Sequence, residues 1–302
     1  MKIDELGDRL FPAAMVNVTN RCTLKCRHCF VYRDGNPNER PSRLADEMDT
    51  RTMLETLKKL RDRHHIHTMV WMGGEPMLRK DVLTEGVKLF AENTVVTNGT
   101  IDLIDLGKVV YVVSLDGPEE VNDPVRGKGS FKRVMRTLGR VPDRFEPTVQ
   151  VQCVVNRENE RYLEDFLKTI MNTRADGLVY TFYIPRRNET SSLAWNSLEE
   201  REPAVRRVME LKTRFPDFLW NSMESLELML PANSKTVTDN CLPKQFLLPL
   251  YLNAKEFEVP FCCAGNDADC DLCGMWGVFH FAAKMNAGEQ SRYIPQSFYA
   301  SR

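Results

Sequence analysis

The sequence predicts an α/β protein: a partial (β/α)6 barrel followed by a small cysteine-rich C-terminal extension made of a β-hairpin and a helix. Three observations predict it. Six short apolar runs alternate with amphipathic helical patterns between residues 13 and 184, glycine-rich and polar segments fall just after those runs, and beyond residue 192 the rhythm changes to helices and then to clustered cysteines. Parallel strands need long crossover connections, which the helical patterns supply. Six units are too few for a closed eight-stranded barrel, but an open one still gathers the C-terminal end of every strand on one rim. The expected division is a barrel core over 1–192 and a helical segment with the cysteine-rich extension over 193–302.

The strands are expected at 13–18 (AAMVNV), 67–72 (HTMVWM), 94–97 (TVVT), 109–114 (VVYVVS), 148–155 (TVQVQCVV) and 178–184 (LVYTFYI), runs rich in the β-branched and aromatic residues that suit a pleated sheet. Helices are expected at 50–63, 81–91, 130–138 and 159–172, with a short piece at 101–106. The polar stretch 33–43 is broken by Gly35, Pro37 and Pro41 and reads as a mobile surface connection. His64, His65 and His67 mark a helix-to-strand connection rather than a metal site, because adjacent residues cannot share a helical face. Further helices are expected at 198–213 and 219–230, and a hairpin within LPLYLNAKEFEVPF.

Of the 302 residues 42% are hydrophobic and 27% charged, which excludes the disordered and fibrous classes. Lys plus Arg number 41 against 42 Asp plus Glu, so net charge points to neither a nucleic acid nor an anionic membrane as partner. No apolar run approaches the roughly 20 residues needed to span a bilayer, and the N-terminus is too charged for a secretory signal, so a cytoplasmic location is expected. In that reducing compartment nine cysteines read as metal ligands or reactive thiols rather than as disulfides.

Three of them, Cys22, Cys26 and Cys29, lie in eight residues just after the first strand. Cysteines at i, i+4 and i+7 can ligate three irons of a cubane normally held by four, leaving one iron open to a small chelating ligand. The alternative reading is zinc with a distant fourth ligand.

The segment CTLKCRHC resembles the C-x3-C-x2-C signature of the radical S-adenosylmethionine (SAM) superfamily. The resemblance implies an oxygen-sensitive [4Fe–4S] cluster on Cys22, Cys26 and Cys29, with SAM chelating the open iron and being cleaved reductively to methionine and a 5′-deoxyadenosyl radical. His28 then stands where an aromatic residue commonly lies beside the adenine. GGEP (Gly73, Gly74, Glu75, Pro76) resembles the element that contacts the methionine amino group, its glycines allowing close backbone approach. SLDGPEEVNDPVRGKGSF resembles a stretch near the cofactor ribose and methionine, which marks Ser114, Asp116 and Arg126. Hydroxyl and carboxylate groups suit a ribose and a guanidinium suits a carboxylate, while a strand-end turn and a surface charge are the plainer readings. Asn98 and Asn156 are weaker candidates for the same cofactor.

The C-terminal cysteines resemble a twitch extension, a shortened SPASM domain, although Phe257 stands about where its hairpin glycine would fall. This implies a second [4Fe–4S] cluster on Cys241, Cys262, Cys270 and Cys273, with Cys263 as the alternative to Cys262 and structural zinc as the competing reading. Cys263 is also a candidate hydrogen-atom donor to a substrate radical, whereas Cys153, in an apolar strand, reads as core. Phe182, Tyr183 and Trp195 read either as pocket lining or as core. The implied function is hydrogen abstraction from a small-molecule substrate, with a ferredoxin or flavodoxin as electron donor. Peptide maturation is the alternative, though Cys22 leaves no room for the N-terminal leader-binding domain of many maturases. Adenosyl transfer to a lipid and a non-catalytic metal-stabilised binding protein are the others.

Overall fold

The computed structural model describes residues 1–33, Asn36 and 43–288. In chain order the elements are β1 (Ala13–Asn17), α1 (Thr50–His64), β2 (Thr68–Met72), α2 (Lys80–Gly86), β3 (Glu92–Thr97), β4 (Val110–Ser114), α3 (Glu119–Arg126), α4 (Ser130–Gly139), β5 (Thr148–Val155), α5 (Leu163–Met171), β6 (Gly177–Phe182), α6 (Leu198–Arg214), α7 (Met223–Leu228), α8 (Pro231–Asp239), α9 (Pro243–Phe246), β7 (Leu247–Asn253), β8 (Glu256–Glu258) and α10 (Trp276–Asn286). The sheet runs in the order β6-β5-β4-β3-β2-β1-β7-β8 and is not closed, as expected for a partial barrel. All six core strands pair in parallel with their sequence neighbours.

The extension continues this sheet. β7 lies parallel to β1, with Ala13 opposite Leu247 and Val16 opposite Leu250, and β8 returns antiparallel as the expected hairpin. Its turn uses Ala254 at a φ of 51°, a conformation that glycine adopts more readily.

Strand alternation sorts the side chains onto two faces. Ala14 and Val16 of β1 with Val18 just beyond it, Met69 and Trp71 of β2 and Val149, Val151, Cys153 and Val155 of β5 join the large core beneath the helices. The opposite, concave face carries Met15, Met72 and Tyr251, packed with Val31, Cys263, Cys29 and Phe30. Cys153 is fully buried in the core, and Phe182, Tyr183 and Trp195 are buried in the same core, Tyr183 and Trp195 also bordering a small cavity beside Arg201.

Several expected elements differ. Residues 101–106 form no helix, because tertiary contacts pin them instead. Ile101, Leu103, Ile104 and Leu106 pack on the core, Asp105 accepts from the amides of Gly107 and Glu146, and Tyr111 donates to the Ile104 carbonyl. The helix expected at 219–230 is shorter: Leu219 bridges to Leu178 beside β6, Ser222 caps α7, and Pro231 opens α8. The helix expected at 81–91 becomes α2 and a 3-10 turn at Val87–Leu89. α3 was not among the expected helices. Of the surface connection 33–43, residues 34–35 and 37–42 lie outside the described residues. Arg33 itself is buried, not on the surface, and donates to the Ile184 carbonyl. No helix among the described residues is long and apolar enough to cross a membrane.

Candidate functional site

The rim at the C-terminal ends of the strands is built around the loop that leaves β1. Glu47, buried beside it, accepts from the Thr19 hydroxyl at 2.6 Å and the Asn20 amide at 2.5 Å, and the Asn20 side chain reaches across to the Leu252 carbonyl of β7. The segment after β2 zips onto the same loop: Gly74 N donates to Thr19 O at 2.8 Å and Glu75 N to Arg21 O at 2.9 Å. Both glycines are required. Gly73 has a φ of +139° with Thr19 O against it, and a Cβ on Gly74 would run into Arg21 O and the Tyr32 hydroxyl. Among the described residues no hydrogen bond reaches the carbonyl of Gly73 or Gly74. Pro76 is buried and opens a 3-10 turn.

Glu75 is wholly buried and ties β2 to β3, accepting from Met77 N (3.0 Å), the Thr97 hydroxyl (2.7 Å) and Asn98 N (2.7 Å). Burial outweighs these three donors and raises its carboxyl to about 7. A folded value above the unfolded one means that the contribution to stability is present below the unfolded pKa and is lost as pH rises through 7. The stability of the protein relative to a Glu75→Gln variant is therefore expected to fall by about 2 kcal/mol between about pH 5.5 and about pH 8. Urea unfolding at the two pH values checks this.

The three loop cysteines lie within electrostatic reach of one another. Burial pushes the Cys26 thiol up to about 11, with Arg126 pulling against it and the other two thiols adding to it, and burial likewise raises Cys22. The Asn98 amide donates to Cys22 Sγ at 3.6 Å and to the Thr23 hydroxyl at 2.9 Å, so Asn98 braces the first cysteine from β3.

Across the loop stands a buried charged triad. Asp116, with no exposed surface, meets Arg126 through Nη2 at 3.1 Å and Nε at 2.6 Å, His28 Nε2 at 2.7 Å and the Val154 amide at 2.8 Å. A carboxylate only accepts, so His28 Nε2 carries the proton. Burial would raise the Asp116 carboxyl; Arg126 first and then His28 overcome it and hold it well below the ordinary carboxylate range. Arg126 thus has a carboxylate within the protein. His28 Nδ1 is buried and has no partner. Ser114 ends β4 half-buried, while both polar side-chain atoms of Asn156 serve the turn after β5, donating to Val154 O and accepting from Glu158 N.

All five C-terminal cysteines, Cys241, Cys262, Cys263, Cys270 and Cys273, line one cavity of about 20 Å³ between α8, α9, α10 and the segment that follows the hairpin. Burial pushes Cys273 up to about 12. Cys262 is drawn down to about 7, first by a hydrogen bond from Cys263 and then by the Ala264 amide and the Lys244 charge against burial. Cys263 also belongs to the concave-face cluster with Cys29 and sets its Sγ 3.4 Å from Met275 Sδ. Among the described residues no three His, Cys, Asp or Glu side chains converge tightly enough for a single metal ion.

Sequence reasoning missed Asn17. It follows Met15 by two positions on β1, faces the concave side opposite Met72, is fully buried, and leaves both amide atoms without partners. The signal was there in AAMVNV, whose alternation puts one amide on an otherwise apolar face. Glu47 was missed because its partners lie 27 and 28 residues away.

A family model described as the radical SAM superfamily matches residues 16–170. Among curated proteins the chain is similar to the sporulation killing factor maturation protein SkfB of Bacillus subtilis (24% identity, covering 81% of this chain and 58% of the relative) and to the Fe-coproporphyrin III synthase of Methanosarcina barkeri (27%; 89% and 68%). It is also similar to the mycofactocin maturase MftC of Mycolicibacterium smegmatis (30%; 49% and 39%). The chain therefore spans only 39% to 68% of these relatives' lengths. Similar solved folds are native anSMEcpe with bound AdoMet (TM-score 0.61, 18% identity, 95% of this chain and 83% of that one) and Streptococcus suis SuiB bound to its precursor peptide SuiA (TM-score 0.61, 13%, 95% and 69%).

Proposed function

This chain belongs to the radical SAM superfamily, and on that premise we propose that it abstracts a hydrogen atom from a small-molecule substrate held on the concave face of the sheet, with a second iron–sulfur cluster in its extension. Cys22, Cys26 and Cys29 would hold a [4Fe–4S] cluster, and the cluster and SAM, when bound, would supply the hard chemistry, the one-electron reductive cleavage of SAM.

The residues fit these groups. Three partly buried thiols within electrostatic reach of one another, with an Asn98 N–H on one sulfur, suit a cubane loop that lacks a local fourth cysteine. The carbonyls of Gly73 and Gly74 would accept from the methionine ammonium, and Ser114 would serve the ribose. Asp116 would act through His28, fixing the ring meant to flank the adenine, and Arg126 holds Asp116 rather than a cofactor carboxylate. Asn17 offers one donor and one acceptor to a polar group of the substrate.

The observation that carries the reading is the convergence of five cysteines on one cavity, with Cys263 also on the concave face beside Cys29. We assign Cys241, Cys262, Cys270 and Cys273 as ligands and leave Cys263 as the candidate hydrogen-atom donor. Zinc, which would hold the same sulfurs at bonds of about 2.3 Å, is the competing occupant that metal analysis distinguishes. A cubane would take one sulfur at each iron corner and so hold its four thiolates further apart than a single ion does, which suits thiols that line one cavity without meeting at a point. Iron, sulfide and zinc analysis of a Cys22/Cys26/Cys29→Ala variant tests this. Retained iron and sulfide are expected; no iron, or zinc in its place, overturns the second cluster.

Peptide modification is the second reading, favoured by relatives whose names include two maturation enzymes.

A further inference from the structure

A buried guanidinium normally has an anion beside it, because removing its charge from water costs several kcal/mol. Arg201 of α6 has none among the described residues. It is 2% exposed, and every partner it finds is neutral: the carbonyls of Leu272 (3.1 Å), Cys273 (3.0 Å) and Met229 (3.4 Å) and the Ser234 hydroxyl (3.3 Å). Its Nε is buried without a partner. Its bond to the Cys273 carbonyl sets this cation beside a cysteine of the five-thiol cavity.

A second cation touches the same cavity. Lys244 Nζ lies 3.3 Å from Cys270 Sγ and 3.8 Å from the centroid of the Phe261 ring. Each member of the Cys270-x2-Cys273 pair thus has one cationic side chain against it, Lys244 at the sulfur of the first and Arg201 at the backbone of the second. Neutral thiols give these cations nothing to balance. Thiolates around an iron–sulfur core do, since that assembly is anionic and gains a further negative charge on reduction.

We infer that Arg201 and Lys244 are the counter-cations of the extension cluster and set its reduction potential, stabilising the reduced state so that the centre can accept one electron. They act through the field they place on the cluster and do not ligate it. The inference rests on the second-cluster reading above, and the experiment separates the two.

The test uses the full chain with Cys22, Cys26 and Cys29 changed to Ala, so that iron is confined to the extension, and follows an EPR-monitored redox titration. Arg201→Gln is expected to lower the reduction equilibrium constant at least tenfold, 59 mV for one electron. Lys244→Met should act in the same direction to a smaller extent, and Arg201→Lys should restore most of the parent value. If Arg201→Gln does not hold iron, the Lys244→Met titration decides alone. Potentials that stay within twofold of the parent in equilibrium constant overturn the inference and leave the cluster standing. A parent variant that carries no iron, or zinc, removes the cluster reading and the inference with it, before any cation has been changed.

Discussion

Asp116→Ala is expected to destabilise the protein by about 3–5 kcal/mol, the range for removing one partner of a buried ion pair and leaving the other charged and dry. Asp116 gathers Arg126, His28 and the Val154 amide around one carboxylate, and its own amide and carbonyl engage Asn122 and Asn159. Losing the carboxylate strands the Arg126 guanidinium, which is 6% exposed, beside Cys26, whose Sγ faces the Arg126 carbonyl at 3.8 Å. The damage should therefore reach the cluster loop. Urea unfolding gives the energy. A double substitution of Asp116 to Leu and Arg126 to Met should recover part of the loss, because no charge is then left unpaired; no recovery would show that the triad's role is packing rather than charge balance.

Gly74→Ala should damage the rim through a single added methyl. The added carbon would run into the Arg21 carbonyl and the Tyr32 hydroxyl, so the 2.8 Å and 2.9 Å bonds that clamp residues 73–75 to the cluster loop must lengthen or break. Overpacking of this kind costs about 1–3 kcal/mol, here concentrated on the segment that positions Cys22. We expect cluster occupancy of the loop to fall by about tenfold, since about 1.4 kcal/mol is a factor of ten. Gly139→Ala is the control: it ends α4, nothing lies within 4 Å of the added carbon, and occupancy should not change. EPR spin quantitation of the reduced cluster in both variants reads the difference.

Much of this architecture was legible in the sequence because its signals are local. Apolar runs such as VVYVVS become strands with a fixed face, and the hairpin announced itself as two apolar runs about a polar turn. The cysteine spacing and GGEP were readable for the same reason. What was not legible depends on contacts between distant residues. The pairing of β7 with β1 joins segments more than 200 residues apart, and no local pattern encodes that register. Residues 101–106 carry a helix-compatible apolar pattern that core contacts override. Arg126 reads as a free charge until Asp116 and His28 are brought to it. Arg201, in a helix whose other arginines reach acidic partners, reads as one more surface charge until its burial is seen.

Every role proposed for this chain depends on one reaction, the reductive cleavage of SAM at the loop of Cys22, Cys26 and Cys29. The direct measurement is 5′-deoxyadenosine formed by the anaerobically reconstituted protein with SAM and dithionite, beside a Cys26→Ala variant treated identically. The wild-type chain is expected to form it and the variant to stay at the level of the protein-free control. Equal amounts from the two proteins, or none from the wild type with its cluster loaded, would contradict the account.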